Sequence, residues 1–390
     1  MSGYSLFATV LAELFVAIAV MGSAYQLLAA FAVRRLVSRP RPIPRERPPV
    51  TLLKPLCGDE WELTRNLKSF CALDYPVTQL VCGVRQEDDP AAAIVRTLRQ
   101  QLPDADIALV AADVQHGTNN KVSNVINMMS AAKHDLLVLS DSDMLVDPHY
   151  LDAVVAAMEQ PGVGLATCLY LGAPAPGVWS AIGAAGINFW FLPSASVSKL
   201  LGGKTGCYGA TIAMNRKTLA AIGGFEAVKN QLADDYALGD LVQRSGRQVA
   251  VVPYFPATVI DEPTFGALYR HELRWARTIR NTAPWGFAGS IITHPLPFAV
   301  LGLALGSVAG LPWPMLLSVL ASAWLCRLGL LTFVSRRLGA PKLHWWLLLP
   351  RDALSVAILV AAFFGRSVSW RSSAFRVDKV GALSRKTNGN

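Results

Sequence analysis

The sequence has few charged residues. Asp, Glu, Lys and Arg make up 16% of the 390 residues, hydrophobic residues make up 52%, and the mean hydropathy is +0.35. These values exclude an ordinary soluble enzyme and predict membrane-spanning segments. The six cysteines are scattered and include no Cys-x-x-Cys pair. Their distribution argues against a disulfide framework and a zinc site, and it indicates a reducing compartment.

Acidic residues are also in the minority, since 36 Lys and Arg outnumber 27 Asp and Glu and give a net charge of +9. This charge fits attraction to an anionic lipid surface or to a phosphorylated substrate. The arginines flank apolar segments and do not form a basic face interleaved with aromatic residues. The sequence therefore predicts no nucleic-acid partner.

Residues 1–36 are predicted to form an N-terminal transmembrane anchor. The run from Leu6 to Val33 is long and apolar enough to cross a bilayer, and it lacks the basic start and the clear cleavage site of a signal peptide. Arginines follow directly, so the positive-inside rule places the N-terminus outside and the next segment in the cytoplasm. Residues 37–49 are basic and rich in proline, which predicts a stiff linker.

Residues 284–366 are predicted to form a C-terminal membrane region of about three spans. The apolar segments are approximately Phe298–Leu311, Met315–Val334 and His344–Phe364. Arg336 and Arg337 suit a cytoplasmic loop after the second span. Residues 367–390 form a tail. Three spans would place this tail on the far side of the membrane, which does not suit Arg366 at its border or Arg371 and Arg376 within it.

Residues 50–283 alternate between strand and helix patterns. The predicted strands are Val50–Leu53, Leu80–Val84, Ile107–Val110, Leu136–Leu139, Gly164–Tyr170, Ala210–Met214 and Val249–Val252. The predicted helices are Trp61–Cys71, Ala91–Leu102, Val122–Ala132, Leu151–Glu159, Lys217–Ile222 and Tyr236–Arg244. This alternation predicts an α/β domain with a parallel-rich sheet and helices on both faces.

Asp141 and Asp143 directly follow the buried apolar run Leu136–Leu139. Ligands of open α/β sheets bind just beyond the carboxyl ends of the strands. If the strand geometry persists, the two carboxylates point the same way and suit Mg²⁺ or Mn²⁺, which cross-links protein to phosphate. An Asx-rich turn that caps the strand is the alternative. The pattern is similar to the Asp-x-Asp signature of nucleotide-sugar glycosyltransferases.

Two polar clusters precede predicted helices, and each has two interpretations. Asp88 and Asp89 could accept a hydrogen bond from the N3–H group of a uracil, or they could begin a helix together with Pro90. Lys121 and Asn124 could contact a ribose or a phosphate at a helix N-terminus, or they could belong to a plain helix cap. The residues alone leave both choices open.

Asp234 and Asp235 are adjacent carboxylates that precede a predicted helix. Such a pair is costly unless a metal, a cation or protonation relieves the repulsion. One of the two could therefore have a raised pKa and act as a general base. The alternative is an acidic first turn of the helix.

Arg270, Arg274 and Arg277 share one face of a predicted helix, at positions i, i+4 and i+7. They could neutralise a departing diphosphate, with Trp275 packing the acceptor site or the membrane interface. The alternative is a basic helix next to the membrane whose arginines reach the headgroups.

Two further segments have alternative interpretations. Val178–Leu201 is apolar and aromatic and predicts either an amphipathic interfacial lid or buried core. Arg351 and Asp352 lie inside a predicted span, where ionisable residues are costly and often functional. Pairing of these two residues with each other is the alternative.

Taken together and in this order, the clusters resemble the ceramide glucosyltransferase family, which is glycosyltransferase family 21. The resemblance covers roughly Val50 to Gly289, and the pattern of membrane helices extends it to both ends. The motifs that carry it are Leu52-Leu-Lys-Pro-Leu56, Leu73-Asp-Tyr-Pro76, Asp88-Asp-Pro90, Asp141-Ser-Asp143, Gly223-Gly-Phe225, Ala233-Asp-Asp-Tyr236 and Arg274-Trp275.

The resemblance implies a GT-A catalytic domain over residues 50–283, between N- and C-terminal transmembrane helices. By position in the motifs, Asp89 would contact the nucleotide base. Asp141 and Asp143 would form the metal site, and Asp235 would be the general base.

The resemblance also assigns residues on the predicted basic helix. Arg274 and Trp275 match the end of the family's Gln/Arg-x-x-Arg-Trp motif. His271 occupies the Gln/Arg position and departs from the pattern, although a histidine can donate a hydrogen bond to a phosphate.

The function expected from the resemblance is a membrane-bound inverting glycosyltransferase with a UDP-sugar donor and a lipid acceptor. The sugar would be N-acetylglucosamine or glucose. The acceptor would be a hopanoid of the bacteriohopanetetrol type or a ceramide, and the segments Leu232–Gly239 and Arg274–Arg280 are more similar to the hopanoid branch. Bacterial relatives imply a multi-pass protein of the inner (cytoplasmic) membrane with a cytoplasmic catalytic domain. The alternatives are a processive polysaccharide synthase and a non-catalytic, lipid-binding membrane scaffold.

Overall fold

The computed structural model describes residues 3–203, 206–365, 367–370, 373–377 and 383–385. The chain divides into two compact units. The first, called the helical unit, consists of Met1–Ser38, Pro176–Leu201 and Glu262–Gly365. The second, called the sheet unit, consists of Arg39–Ala175, Gly202–Asp261 and Arg366–Asn390.

The helices and strands are numbered in chain order. The helices are α1 (Gly3–Val37), α2 (Leu63–Cys71), α3 (Pro90–Gln101), α4 (Asn120–Met128), α5 (Tyr150–Met158), α6 (Val178–Gly186), α7 (Leu192–Leu200), α8 (Arg216–Ala221), α9 (Asp234–Arg244), α10 (Phe265–Thr282), α11 (Pro284–Gly289), α12 (Pro295–Val308), α13 (Trp313–Leu338) and α14 (Leu348–Phe363). The strands are β1 (Val50–Pro55), β2 (Thr78–Val84), β3 (Asp106–Ala111), β4 (Leu136–Leu139), β5 (Met144–Leu145), β6 (Val163–Cys168), β7 (Leu171–Pro174), β8 (Ile212–Asn215), β9 (Gln248–Val252), β10 (Ala257–Ile260), β11 (Ser367–Trp370), β12 (Ser373–Val377) and β13 (Leu383–Arg385).

The main sheet of the sheet unit has the strand order β3-β2-β1-β4-β8-β6-β9. Strands β1 to β4 run parallel, β8 is antiparallel to both of its neighbours, and β6 and β9 are parallel. The prediction of an α/β fold with a parallel-rich sheet is therefore confirmed. From β1 the chain builds outward through β2 and β3 and then crosses to β4 on the other side. This reversal creates a crevice at the carboxyl ends of β1 and β4, where sheets of this kind bind ligands.

The apolar strands of this sheet are buried on both faces. Leu52 and Val138 belong to the hydrophobic cluster on one face, and Leu53, Leu137 and Leu139 belong to the cluster on the other. This division follows from the two-residue period of a strand, which sends successive side chains to opposite faces. Because both faces are covered, β4 has an unbroken apolar run and not an alternating one.

A second, three-stranded sheet of the sheet unit has the order β5-β10-β7. Strand β5 is antiparallel to β10, and β7 is parallel to it. The sequence patterns did not predict these strands, which are two to four residues long. They matter for the site because β5 begins directly after Asp143. Farther along the chain, β11, β12 and β13 pair antiparallel; Arg366, Arg371 and the side chain of Arg376, expected to indicate the side of the tail, lie outside the described residues.

Three helices of the helical unit are long and apolar enough to cross a membrane: Leu6–Val37, Trp313–Leu338 and Trp345–Phe363. A fourth candidate is the pair Pro284–Thr293 and Pro295–Val308, whose two halves are bent by 61°. The expected N-terminal anchor overlaps the first of these segments and the expected C-terminal spans overlap the others, and the number of spans stays a prediction.

The apolar stretch 178–201 forms α6, a π-helical turn (Ile187–Phe191) and α7, and it belongs to the helical unit. Ile182, Phe189 and Leu192 are buried, and the Tyr25 hydroxyl of α1 donates a hydrogen bond to Ser194 Oγ at 3.1 Å. The buried-core interpretation therefore describes this segment. This segment and residues 262–283 both belong to the helical unit, whereas the sequence patterns placed both in the α/β domain.

A buried ionic network stabilises the helical unit. The Arg327 guanidinium of α13 donates to Asp352 of α14 at 2.8 Å and to the Phe189 carbonyl of the π-helical turn at 2.6 Å. Arg351 instead pairs with Glu272 of α10 at 2.9 Å. The suggestion that Arg351 and Asp352 pair with each other was wrong, because consecutive residues of a helix point to different sides.

We expect Asp352→Ala to destabilise the protein in detergent by about 3–5 kcal/mol, because it leaves the buried guanidinium of Arg327 without its carboxylate. The double variant Arg327→Met/Asp352→Leu removes both charges and should unfold at a higher temperature than the single variant. Thermal unfolding of the purified proteins in the same detergent measures both effects. A single variant as stable as the wild type would show that the pair does not stabilise the fold.

Candidate functional site

The polar turn after β4 lies at the crevice of the main sheet. The strand ends at Leu139, and Asp141 and Asp143 lie in a turn, so the expected continuation of strand geometry was wrong. Thr258 of β10 donates to Asp143 Oδ2 at 2.7 Å, and the Val259 N–H donates to the Asp143 carbonyl at 2.9 Å. The small sheet therefore fixes Asp143.

Lys54 of β1 forms hydrogen bonds with this turn. Its side chain is fully buried, and its ammonium group donates to the Asp141 carbonyl at 2.6 Å and to Ser140 Oγ at 3.2 Å. It also lies 3.5 Å from the centre of the Phe70 ring. Burial lowers the pKa of Lys54 to about 7, although Asp143 and Asp141 oppose this effect. The sequence pattern predicted no role for Lys54, and the available signal was a lysine inside an apolar strand.

Lys121 joins the turn to a second acidic segment. Asn119 caps α4 by accepting a hydrogen bond from the Val122 N–H, which fixes the first turn that carries Lys121. The Lys121 ammonium lies 2.6 Å from Asp141 Oδ1 and 3.5 Å from Asp234 Oδ2. Burial lowers the pKa of Lys121, but the carboxylates outweigh this effect and raise the pKa above its ordinary value. The lysine thus remains charged and relieves the repulsion between these acids.

Asp235 lies in the first turn of α9 and is held by two main-chain donors. The Gly209 N–H donates to its Oδ2 at 3.0 Å, and the Tyr236 N–H donates to its Oδ1 at 2.7 Å. Burial is the main cause that raises the pKa of Asp235 to about 6; Asp234 adds to the rise, and Lys121 opposes it. A carboxylate with such a pKa can accept a proton near neutral pH, as a general base must.

Gly209 lies where the acidic segments meet. A Cβ atom at this position would lie 2.9 Å from Asp141 Oδ2, 3.6 Å from Asp235 Oδ2 and 3.6 Å from Lys121 Nζ. Asp141 and Asp235 therefore approach the same backbone position, although they belong to distant segments of the chain. No role for Gly209 could be predicted from the sequence, because no local pattern shows that three side chains surround it.

The other residues expected at the nucleotide have structural partners. Asp89 caps α3 by accepting from the Gly58 and Ala91 N–H groups at 2.8 and 2.9 Å, and Asp88 is exposed. Asn124 is buried and donates to the Gly83 carbonyl at 2.8 Å. Asp89 thus joins the segment after β1 to the first turn of α3, as the capping interpretation predicts, and Asn124 joins α4 to β2.

The expected motif residues His271, Arg274 and Trp275 lie on α10 in the helical unit. His271 Nδ1 lies 2.5 Å from Glu262 Oε1, and the His271 and Trp275 rings pack edge to face with centroids 4.4 Å apart. No local pattern in the sequence indicated that Glu262 would be the partner of His271.

The carboxylates after β4 fit a divalent cation. Asp143 Oδ1 is buried and has no hydrogen-bond partner in the described part of the chain. Burial raises the pKa of Asp143 to about 6, and Asp141 adds to this rise. A cation near both groups would relieve this cost. Among the described residues, no three His, Cys, Asp or Glu side chains form a metal-binding group, so phosphate oxygens and water would have to supply the remaining ligands.

We expect Gly209→Ala to weaken Mn²⁺ binding by about tenfold, the size of effect that is usual when groups around metal ligands are disturbed. The added methyl group would displace the Asp141 carboxylate. Gly289→Ala is the control, because its Cβ would have no neighbour within 4 Å. Calorimetric titration measures the affinity, and equal affinity in both variants would contradict this account of the site.

The chain is similar to ceramide glucosyltransferases over part of its length. It is 26% identical over 225 residues to ceramide glucosyltransferase 1 of Caenorhabditis elegans, an alignment that covers 57% of this chain and 47% of that protein. It is 27% identical over 140 residues to a ceramide glucosyltransferase of Komagataella phaffii, with 35% and 27% covered. The alignments thus span about half or less of the length of these relatives.

Among solved structures, the chain resembles a mannosyltransferase from Pyrobaculum calidifontis, PcManGT, in complex with GDP-Man and Mn²⁺. The TM-score is 0.57 at 19% identity, and the match covers 91% of this chain and 99% of that protein. This likeness concerns the fold alone. It confirms the expected GT-A glycosyltransferase fold.

The model of Glycosyl transferase family 21 matches residues 14–383 of the sequence. This match includes the sheet, the acidic turn, α9 and α10, together with the candidate membrane helices. It confirms the resemblance drawn from the motifs. Because the match extends over nearly the whole chain, the protein belongs to glycosyltransferase family 21.

Proposed function

We propose that the protein is a membrane-bound, inverting glycosyltransferase that transfers a sugar from a UDP-sugar to a hydroxyl group of a lipid. The observation that carries this proposal is the convergence of Asp141 and Asp235 on Gly209 at the carboxyl ends of the strands. The helices that are apolar enough to span a membrane support a lipid acceptor. The proposed sugar is N-acetylglucosamine or glucose, and the proposed acceptor is a hopanoid of the bacteriohopanetetrol type or a ceramide.

In this proposal the donor diphosphate binds at the turn after β4. Asp143 and Asp141 would hold a Mg²⁺ or Mn²⁺ ion, which when bound offsets negative charge on the diphosphate. Lys121 has three N–H donors, and the structure gives it two carboxylate partners. The third donor would form a hydrogen bond with a phosphate or with the ribose of the donor. Asn124, on the same helix, would belong to the same nucleotide contact.

Asp235 would deprotonate the acceptor hydroxyl. Its two main-chain donors fix the orientation of the carboxylate, and each oxygen retains capacity to accept a further proton or hydrogen bond. The activated hydroxyl would attack the anomeric carbon on the side opposite the departing UDP, which inverts the configuration. No covalent intermediate with the protein is needed.

The remaining motif residues complete the proposal. Asp89 would accept a hydrogen bond from the uracil, with Asp88 beside it, and Arg274 and Trp275 would serve the departing diphosphate and the acceptor. We propose the inner (cytoplasmic) membrane as the location, with the sheet unit in the cytoplasm. The arginines in the last turns of α1 and α13 support this orientation under the positive-inside rule.

We expect Asp235→Asn to lower kcat by about 10²–10⁴-fold, because the amide cannot accept the proton. The affinity for UDP-sugar should stay near that of the wild type. Glycolipid formation, measured by mass spectrometry, and donor binding, measured by calorimetry, test the two statements. Near-normal turnover in this variant would contradict the assigned base, and a polymeric product from the wild type would favour a processive synthase.

The same base predicts a pH dependence. Asp235 acts only when ionised, so kcat/KM should rise with pH by roughly tenfold per unit on the acidic side and level off above a pKa of about 6. Asp234 contributes to the raised pKa of Asp235. Asp234→Asn should therefore move the acidic limb of the kcat/KM profile to lower pH. An acidic limb at the same pH in the wild type and in Asp234→Asn would show that a group other than Asp235 controls it.

A further inference from the structure

A carboxylate–imidazole pair lies in the helical unit, in a different part of the sequence from the acidic residues of the sheet unit. Glu262 Oε1 and His271 Nδ1 are 2.5 Å apart. The Glu262 side chain is 7% exposed and the His271 side chain is 30% exposed. The carboxylate is thus shielded while part of the imidazole remains accessible, which is the arrangement of a histidine oriented by a second group.

The backbone around this pair is fixed. The Glu262 N–H donates to Ser180 Oγ of α6 at 2.9 Å, and the Ser180 hydroxyl is within 3.4 Å of the Glu262 carbonyl. Trp275 packs its ring against that of His271 one turn farther along α10. These contacts hold both members of the pair, so the imidazole has a defined direction before any ligand arrives.

The pairing decides which ring nitrogen remains for a ligand. Glu262 engages Nδ1, so Nε2 is the nitrogen that can form a further hydrogen bond. A hydroxyl group can both donate and accept, so it can pair with Nε2 whether or not this nitrogen carries a proton.

The surroundings of the pair are aromatic. Trp179, next to Ser180, packs against Phe265 with centroids 5.3 Å apart, and Phe265 packs against Tyr269 at 6.1 Å. The Phe265 side chain is 47% exposed. All of these residues belong to the unit that carries the candidate membrane spans. An amphiphile with an apolar body and a hydroxyl group matches this combination of exposed aromatic surface and a ring nitrogen that can form a hydrogen bond.

We propose that His271, oriented by Glu262, binds the hydroxyl-bearing end of the lipid acceptor. This inference deepens the proposed function and depends on it. His271 touches the substrate, whereas Glu262 is a positioning residue that acts through His271. The assignment differs from the phosphate contact that the motif position of His271 suggested.

The test uses the full-length enzyme in detergent, with UDP-glucose and UDP-N-acetylglucosamine as donors and with ceramide and bacteriohopanetetrol as acceptors. His271→Phe keeps the ring and removes both nitrogens. Glu262→Gln keeps the shape and removes the charge. His344→Phe is the matched control, because His344 is an exposed histidine of the same unit. The measurements are the KM for acceptor, the KM for donor, and the slow release of UDP from the donor without acceptor.

We expect His271→Phe to raise the acceptor KM by about 10- to 100-fold, the effect of losing one buried hydrogen bond. Glu262→Gln should raise it less, and His344→Phe should leave it unchanged. Donor KM should stay at the wild-type value in all three variants, which also shows that they are folded. Acceptor-independent UDP release should stay at the wild-type rate in His344→Phe.

Two results would overturn the inference. One is an unchanged acceptor KM in His271→Phe. The other is a raised donor KM or a loss of UDP release in that variant, since this would assign His271 to the diphosphate. Failure of the wild-type enzyme to glycosylate either lipid is a different result, because it contradicts the proposed function itself.

Discussion

The ion pairs of Lys121 with Asp141 and Asp234 are the constraint on which the site depends. Three acidic side chains cannot gather at the end of a sheet unless a cation offsets their repulsion and their loss of water. The Lys121 ammonium provides this charge at 2.6 and 3.5 Å from the two carboxylates. The first turn of α4 supplies the lysine, so the acidic turn after β4 and the acidic start of α9 can approach each other.

The two acidic segments then differ in what surrounds them. Asp143 is held by Thr258 and, within the described residues, keeps one buried oxygen without a partner, which fits a cation. Asp235 is held by the main chain of Gly209 and Tyr236, so each of its oxygens has a fixed donor, which fits an oriented base. Burial raises the pKa of both Asp143 and Asp235 to about 6, so their partners distinguish them and their pKa values do not. Groups of the same chemical type thus acquire different properties from their neighbours, as is usual in sites that separate metal binding from proton transfer.

The sequence predicted the elements with strong periodic patterns. Strand β4 has the expected limits, and α9 begins two residues before the expected start. Periodicity could not predict β5, β7 and β10, because strands this short carry no period and form only by pairing with one another. These strands determine the direction of Asp143. The sequence therefore singled out this residue as a candidate ligand, but the expected strand geometry around it was wrong.

Long-range proximity explains the other differences. Gly209, Lys54 and Glu262 acquire their roles from residues that are distant in the chain, and no local spacing reveals such contacts. Asp89 and Asn124 differ from these residues, because the sequence predicted a role for each at the nucleotide. The structure adds a structural contact for both: Asp89 caps α3, and Asn124 donates to a carbonyl of β2. Arg351 pairs with Glu272 of α10, and only the packing of the helices brings these two residues together.

The central claim is that Lys121 and Asp141 stabilise the site jointly. A double-mutant cycle with Lys121→Met, Asp141→Asn and the combined variant tests this claim by thermal unfolding in detergent. The account predicts that each single variant is destabilised and that the double variant loses less than the sum. The expected coupling is about 1 kcal/mol or more, as is usual for residues in direct contact. Additive losses would show that the two residues act independently and would contradict the account.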